Sequence, residues 1–138
     1  ELLDSISKVR TSFVIDTMEY LYKGGRCTAL QAIAGSVLKI HPIIEVNQDG
    51  TLGVKEKARG TLQKGYQKIL DDFGSHLDEL DRGRVFVTHT CENEKNVQFL
   101  VDGIKRTAMP DDIRVTKAGS VISSHCGPGT AGILYFVK

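Results

Sequence analysis

The chain has 138 residues, 41% hydrophobic and 25% charged, the make-up of one globular domain with a single core rather than a repeat, a coiled coil or a disordered tail. Eighteen basic against seventeen acidic residues leave a formal charge of +1, so no overall field draws it to nucleic acid or holds it on an anionic membrane. No apolar run reaches the roughly 20 residues of a bilayer span, Glu1-Leu2-Leu3-Asp4 lacks the layout of a signal peptide, and a cytoplasmic location is expected. Cys27, Cys91 and Cys126 are odd in number and form no C-x-x-C pair, which argues against a disulfide framework. A start without methionine is expected of a piece of a longer chain.

Residues 11–15 predict a short strand running into Asp16-Thr17, where either side chain can cap a helix over 18–23 that Gly24-Gly25 ends. A second helix is predicted over 30–38, with small and apolar residues mixed, and Pro42 is expected to stop that segment. Residues 43–46, the Asn47-Gln48-Asp49-Gly50 turn and residues 51–54 then read as a hairpin. Leu62, Tyr66, Ile69, Leu70, Phe73, Leu77 and Leu80 carry the spacing of a long amphipathic helix, with Gly65 and Gly74 marking a bend or an early end. A strand follows at 85–87. Val97, Leu100, Val101 and Ile104 predict another helix, ended before Pro110, and residues 113–115, 121–124 and 133–137 predict three more strands. The fold class is α/β, a mixed β-sheet with helices packed on it in a single domain over 1–138.

The run Ser120 to Val137 carries the densest chemistry. Two serines, His125 and Cys126 lead into a turn of Gly127, Pro128 and Gly129, where glycines let a ligand approach the main chain. The same run spells G-x-G-x-x-G, but a dinucleotide loop must open a helix and be followed about 20 residues later by an acidic group. Only Ile133 to Lys138 follow, and they read as a strand, so that interpretation fails.

Several blocks in order resemble the DegV family: Asp16-Thr17-Met18-Glu19-Tyr20-Leu21-Tyr22-Lys23-Gly24-Gly25-Arg26, then Ile40-His41-Pro42-Ile43-Ile44 with Asp49-Gly50, then Lys57-Ala58-Arg59-Gly60, then His125-x-Gly127-Pro128-Gly129. The resemblance runs through nearly the whole chain and is to the C-terminal lobe alone. It implies a two-lobed bacterial protein that holds a long-chain fatty acid between its lobes and presents it to a separate fatty acid kinase, which makes the acyl phosphate. The N-terminal lobe, whose Ser and Thr residues hold the carboxylate, falls outside the match. The family implies no catalysis by this protein, no cofactor and no nucleic acid, and it allows a transient membrane contact.

Two readings of His125 stand: its imidazole bonds the ligand carboxylate, or it merely ties down the turn. The resemblance favours the first, with Gly127 beside it. Cys126 reads as a buried free thiol, because neighbours on a strand point to opposite faces and a Cys-His pair would not form. The competing function is a small hydrolase or transferase using His125 with Ser124 or Cys126; a third is an interaction lobe without ligand. Arg26 and Arg59 are ordinary surface charges by default, and an arginine fork recognises phosphate or carboxylate. The matching family positions imply docking of the kinase. Leu30, Ile33, Ala34 and Val37 are core by default, and in a lipid carrier they would line the acyl tunnel. His89, Cys91, His125 and Cys126 could in principle ligate zinc, but their H-x-C and H-C spacings fit no established pattern.

Overall fold

A computed structural model of the chain describes residues 1–25, 40–90 and 93–138. The helix predicted over 30–38, with Leu30, Ile33, Ala34 and Val37, lies outside the described residues, as do Arg26, Cys27 and Cys91.

Among the described residues the elements run α1 (Leu2–Ile6), β1 (Val9–Val14), α2 (Glu19–Lys23), β2 (Ile40–Val46), β3 (Leu52–Arg59), α3 (Leu62–Ser75), β4 (Leu80–His89), α4 (Glu94–Ala108), β5 (Ile113–Lys117), α5 (Ser120–Cys126) and β6 (Ala131–Val137). The strands form one six-stranded mixed sheet in the order β3-β2-β1-β6-β4-β5. Every neighbouring pair is antiparallel except β4 and β5. That parallel pair is joined by α4, because parallel neighbours need a crossover rather than a tight turn.

The predicted periodicity of α3 and α4 becomes one side of the core. Tyr66, Ile69, Leu70 and Phe73 of α3 and Leu100, Val101 and Ile104 of α4 are buried together against Val14, Ile43, Val85, Val87, Ile133 and Tyr135 of the sheet. Phe73 meets Tyr135 edge-on, with ring centres 5.1 Å apart. Asn93 caps α4 by accepting from the Lys95 amide at 3.0 Å. Met109, in the left-handed conformation at φ 47°, ends that helix ahead of Pro110, as the sequence predicts.

The structure corrects four expectations. Residues 121–124 are not a strand but the body of α5. β5 is the edge of the sheet, while β6 lies between β1 and β4, so the chain leaving β5 must cross a face of the sheet to reach its place. The side chains suit that crossing: Ser124 Oγ donates to the Ser120 carbonyl and His125 Nδ1 to that of Val121, each one helical turn back. Routing thus overrides the β preference of Val121 and Ile122, which end up exposed. Second, Pro42 does not stop a segment; it lies within β2, next to the irregularity between Ile43 and Ile44 and beyond the last β1–β2 register pair, where its missing donor costs little. Third, the long helix ends at Ser75, and Leu80 opens β4 opposite Val137. Fourth, Gly65 interrupts nothing, since α3 runs through it, whereas Gly74 does stand at an early end, one residue before the last of the helix. The short helix α1 carries no apolar period that would announce it.

Candidate functional site

The second face of the sheet, away from α3 and α4, is also apolar. Alternation places Thr11 and Phe13 of β1, Ile44 and Val46 of β2 and Gly132 and Leu134 of β6 on it, in register across the three strands. α2 and α5 cover one end: Leu21 and Cys126 are buried with Ile15 and Ile44, and Phe13, Met18, Leu52 and Val54 pack around them. Between this face and α5 lies a cavity of about 400 Å³ whose walls include Phe13, Leu21, Leu52, Val121, Ile122 and Leu134. That volume is within the roughly 300–1,000 Å³ usual for small-molecule sites.

Apart from Thr11 on β1, the polar side chains gather at one end. Thr88, His89, Thr90, His125 and Thr130 line the cavity there. The three hydroxyls are engaged inside the protein: Thr88 Oγ1 with Thr116 Oγ1 at 2.7 Å, Thr90 Oγ1 to the Gly127 carbonyl at 2.5 Å, Thr130 Oγ1 to the Cys126 carbonyl at 3.1 Å. His125 donates Nδ1–H to the Val121 carbonyl at 2.7 Å. His89 Nδ1 is buried with no hydrogen-bond partner among the described residues. The site is an apolar trough with an imidazole at its polar end.

Gly127 and Gly129 have φ of 78° and 80°, the left-handed region that lets the chain reverse out of α5 into β6. The turn is tied from α3, where Tyr66 Oη donates to the Gly129 carbonyl at 2.6 Å. Beside it, buried His41 directs Nδ1 at the Asp16 carbonyl, 3.0 Å away, and Nε2 at the Gly60 carbonyl, 2.9 Å away. It pins the loop before α2 to the turn before α3. The sequence reading gave His41 no role, although a histidine between apolar residues before a proline is the available signal.

His125 is therefore brought to the cavity, on a helix end rather than a strand end, whereas Gly127 is buried beneath the Tyr20 ring and does not line it. Arg59 is exposed at the end of β3, outside the cavity lining. Cys126 is buried, and burial pushes its thiol up, away from the reactive thiolate. On a helix its side chain diverges from that of His125 by roughly 100°, and Ser124 Oγ is bonded back to Ser120 at 2.7 Å. The hydrolase constellation is not assembled. Among the described residues no group of three or more His, Cys, Asp or Glu is placed to hold a metal ion, and no helix is long and apolar enough to cross a membrane.

The family model described as "Uncharacterised protein, DegV family" matches residues 1–138. A DegV domain-containing protein of Caldanaerobacter subterraneus is 31% identical over 140 residues, covering 98% of this chain and 47% of that protein. A structure of fatty-acid binding by a DegV family protein from Thermus thermophilus superposes with a TM-score of 0.82 at 28% identity, over 95% of this chain and 46% of the other. The Streptococcus pneumoniae Fatty Acid Kinase B3 protein, loaded with linoleic acid, superposes at 0.83 with 25% identity, over 99% and 47%. The chain spans about half the length of these relatives. The first of these solved proteins is described as binding fatty acid, and the second is loaded with linoleic acid.

Proposed function

The chain belongs to the DegV family, and we propose that it is the C-terminal lobe of a two-lobed carrier that binds a long-chain fatty acid and presents the carboxylate to a separate kinase. The observation that carries this reading is the trough itself: apolar along the sheet face apart from Thr11, and polar at the α5 end, where the hydroxyls of Thr88, Thr90 and Thr130 are already bonded within the protein. An acyl tail suits such walls, since each buried methylene contributes roughly 0.8 kcal/mol. The carboxylate lies at His125, with Gly127 shaping the turn behind it. The remaining headgroup donors come from a lobe outside this chain. Arg59, exposed and outside the trough, serves kinase docking. The likeness to the Fatty Acid Kinase B3 protein supports the kinase partner.

The test is mass spectrometry of lipid released from the two-lobed protein, with kinase-dependent phosphorylation followed in variants. Fatty acid is expected to co-purify. His125→Ala should lower acyl-phosphate formation by about tenfold or more while bound lipid falls only a few-fold, because the tail supplies most of the affinity and the headgroup sets its placement. Arg59→Ala should keep the lipid and lose kinase coupling, as expected of a charge that steers docking. Loss of lipid in Arg59→Ala with no change in His125→Ala would reverse the two assignments.

A further inference from the structure

The His125 ring is held in one tautomer and one orientation. Nδ1 lies 2.7 Å from the Val121 carbonyl oxygen; a carbonyl only accepts, so Nδ1 carries the proton. The opposite edge of the ring lies on the Cα of Gly24 at the end of α2. A Cβ at position 24 would overlap Cδ2 and stand 3.1 Å from Nε2. The clasp is reciprocal, because Tyr20 of α2 lays its own ring on Gly127, where a Cβ would overlap it in turn. Each glycine admits the ring from the other helix, and this locks the K-G-G and H-x-G blocks together.

We propose that Gly24 is a positioning residue for His125, and that the clasp makes headgroup capture proton-linked. With Nδ1–H committed to Val121, a neutral His125 offers the ligand a lone pair at Nε2 and no donor. A carboxylate is therefore held only once Nε2 takes one proton from solvent, giving an imidazolium–carboxylate pair with no covalent change to either partner. Among the described residues, the ionisable groups on the elements around the ring are Glu19, Tyr20, Tyr22 and Lys23 on α2, Cys126 on α5, His89 at the end of β4 and Asp16 before α2. Glu19 and Lys23 pair with each other at 2.6 Å, and Asp16 lies 3.3 Å from His41. The proton linkage rests on the carrier reading above; the positioning of the ring does not.

Two measurements on the two-lobed protein test it. Nitrogen-15 NMR of the histidine side chains, without ligand at mildly alkaline pH and assigned with His125→Gln, should find His125 protonated at Nδ1. Gly24→Ala should shift it to Nε2 or to a mixture. Tyr20→Leu opens the other half of the clasp and should do the same without adding an atom at position 24. Calorimetric titration with palmitate in two buffers of different ionisation enthalpy should then show uptake of a fraction of a proton per palmitate, with affinity falling a few-fold in all as the imidazole becomes neutral, the same loss that His125→Ala gives. His125→Gln should remove the uptake and Gly24→Ala should reduce it. An Nε2-protonated wild type, palmitate bound without proton uptake, or both clasp variants unchanged would overturn the proposal. If wild type binds no palmitate, the carrier reading and the linkage fall together, while the NMR spectrum alone decides the positioning.

Discussion

Gly65 shows how a single missing side chain sets where α3 can lie. It is buried against β1, and a Cβ there would stand 2.6 Å from Val14 Cγ1. Val14 is fully buried and stiff at χ1, so it cannot turn aside. Overpacking of this kind costs about 1–3 kcal/mol, against about 1 kcal/mol gained from helix propensity on replacing glycine. Gly65→Ala should therefore lose about 1 kcal/mol or more of unfolding free energy in urea titration. Gly119, which precedes α5 at φ −67°, has nothing within 4 Å of its would-be Cβ, and Gly119→Ala should lie close to wild type. A wild-type Gly65→Ala would mean that α3 is free to lift from the sheet. Sequence alone reads Gly65 as a bend, because a glycine that makes room for a neighbour is indistinguishable from one that breaks a helix until the neighbour is known.

Among the elements, those whose signal is local were legible and those fixed by routing were not. α3 and α4 follow from apolar spacing, and the β2–β3 hairpin follows from the Asn47–Gly50 turn. α5 does not, because its β-branched start reads as a strand and only the position of β6 inside the sheet makes it cross a face. The same misreading hid the candidate site: His125 and Gly127 stand out in the sequence, whereas their partners Gly24 and Tyr20 become visible only when α2 packs on α5. The β4–β5 edge offers a test at this scale. Arg114 Nε and Arg84 Nε donate to the same Asp112 oxygen at 2.7 and 2.8 Å. The bond from Arg114 holds the Asp112 carboxyl below its ordinary value; desolvation, the next largest influence, opposes it, and the bond from Arg84 adds to the lowering. A lowered carboxylate stabilises the fold above the unfolded-state value and loses that contribution as pH falls through the folded one. Asp112→Asn should thus melt slightly below wild type at neutral pH, by less in high salt, and the difference should vanish in strong acid. A gap that widens on acidification would contradict this sign.

For the molecule as a whole, the two faces of the sheet are unequally finished. Among the described residues, the α3–α4 side holds eighteen buried core residues in one cluster, from Val14 to Val137. The trough side is covered by α2 and α5 at one end, while Val9, Val46 and Phe136 stand at 39%, 42% and 37% exposure toward the other. The α3–α4 side has enough buried surface for this chain to fold cooperatively on its own, as a domain with its own core does. On the proposed reading, the trough side leaves a bound acyl chain partly in water and supplies one imidazole nitrogen to its headgroup. The isolated chain should therefore give a single cooperative melt yet bind palmitate far more weakly than the two-lobed protein, by about a hundredfold if the missing lobe covers three or four methylenes at roughly 0.8 kcal/mol each. Calorimetry on both forms checks it. Equal affinities would place the whole site within this chain and move the headgroup away from a lobe boundary; a non-cooperative melt with strong dye binding would show that the trough face needs its partner in order to fold.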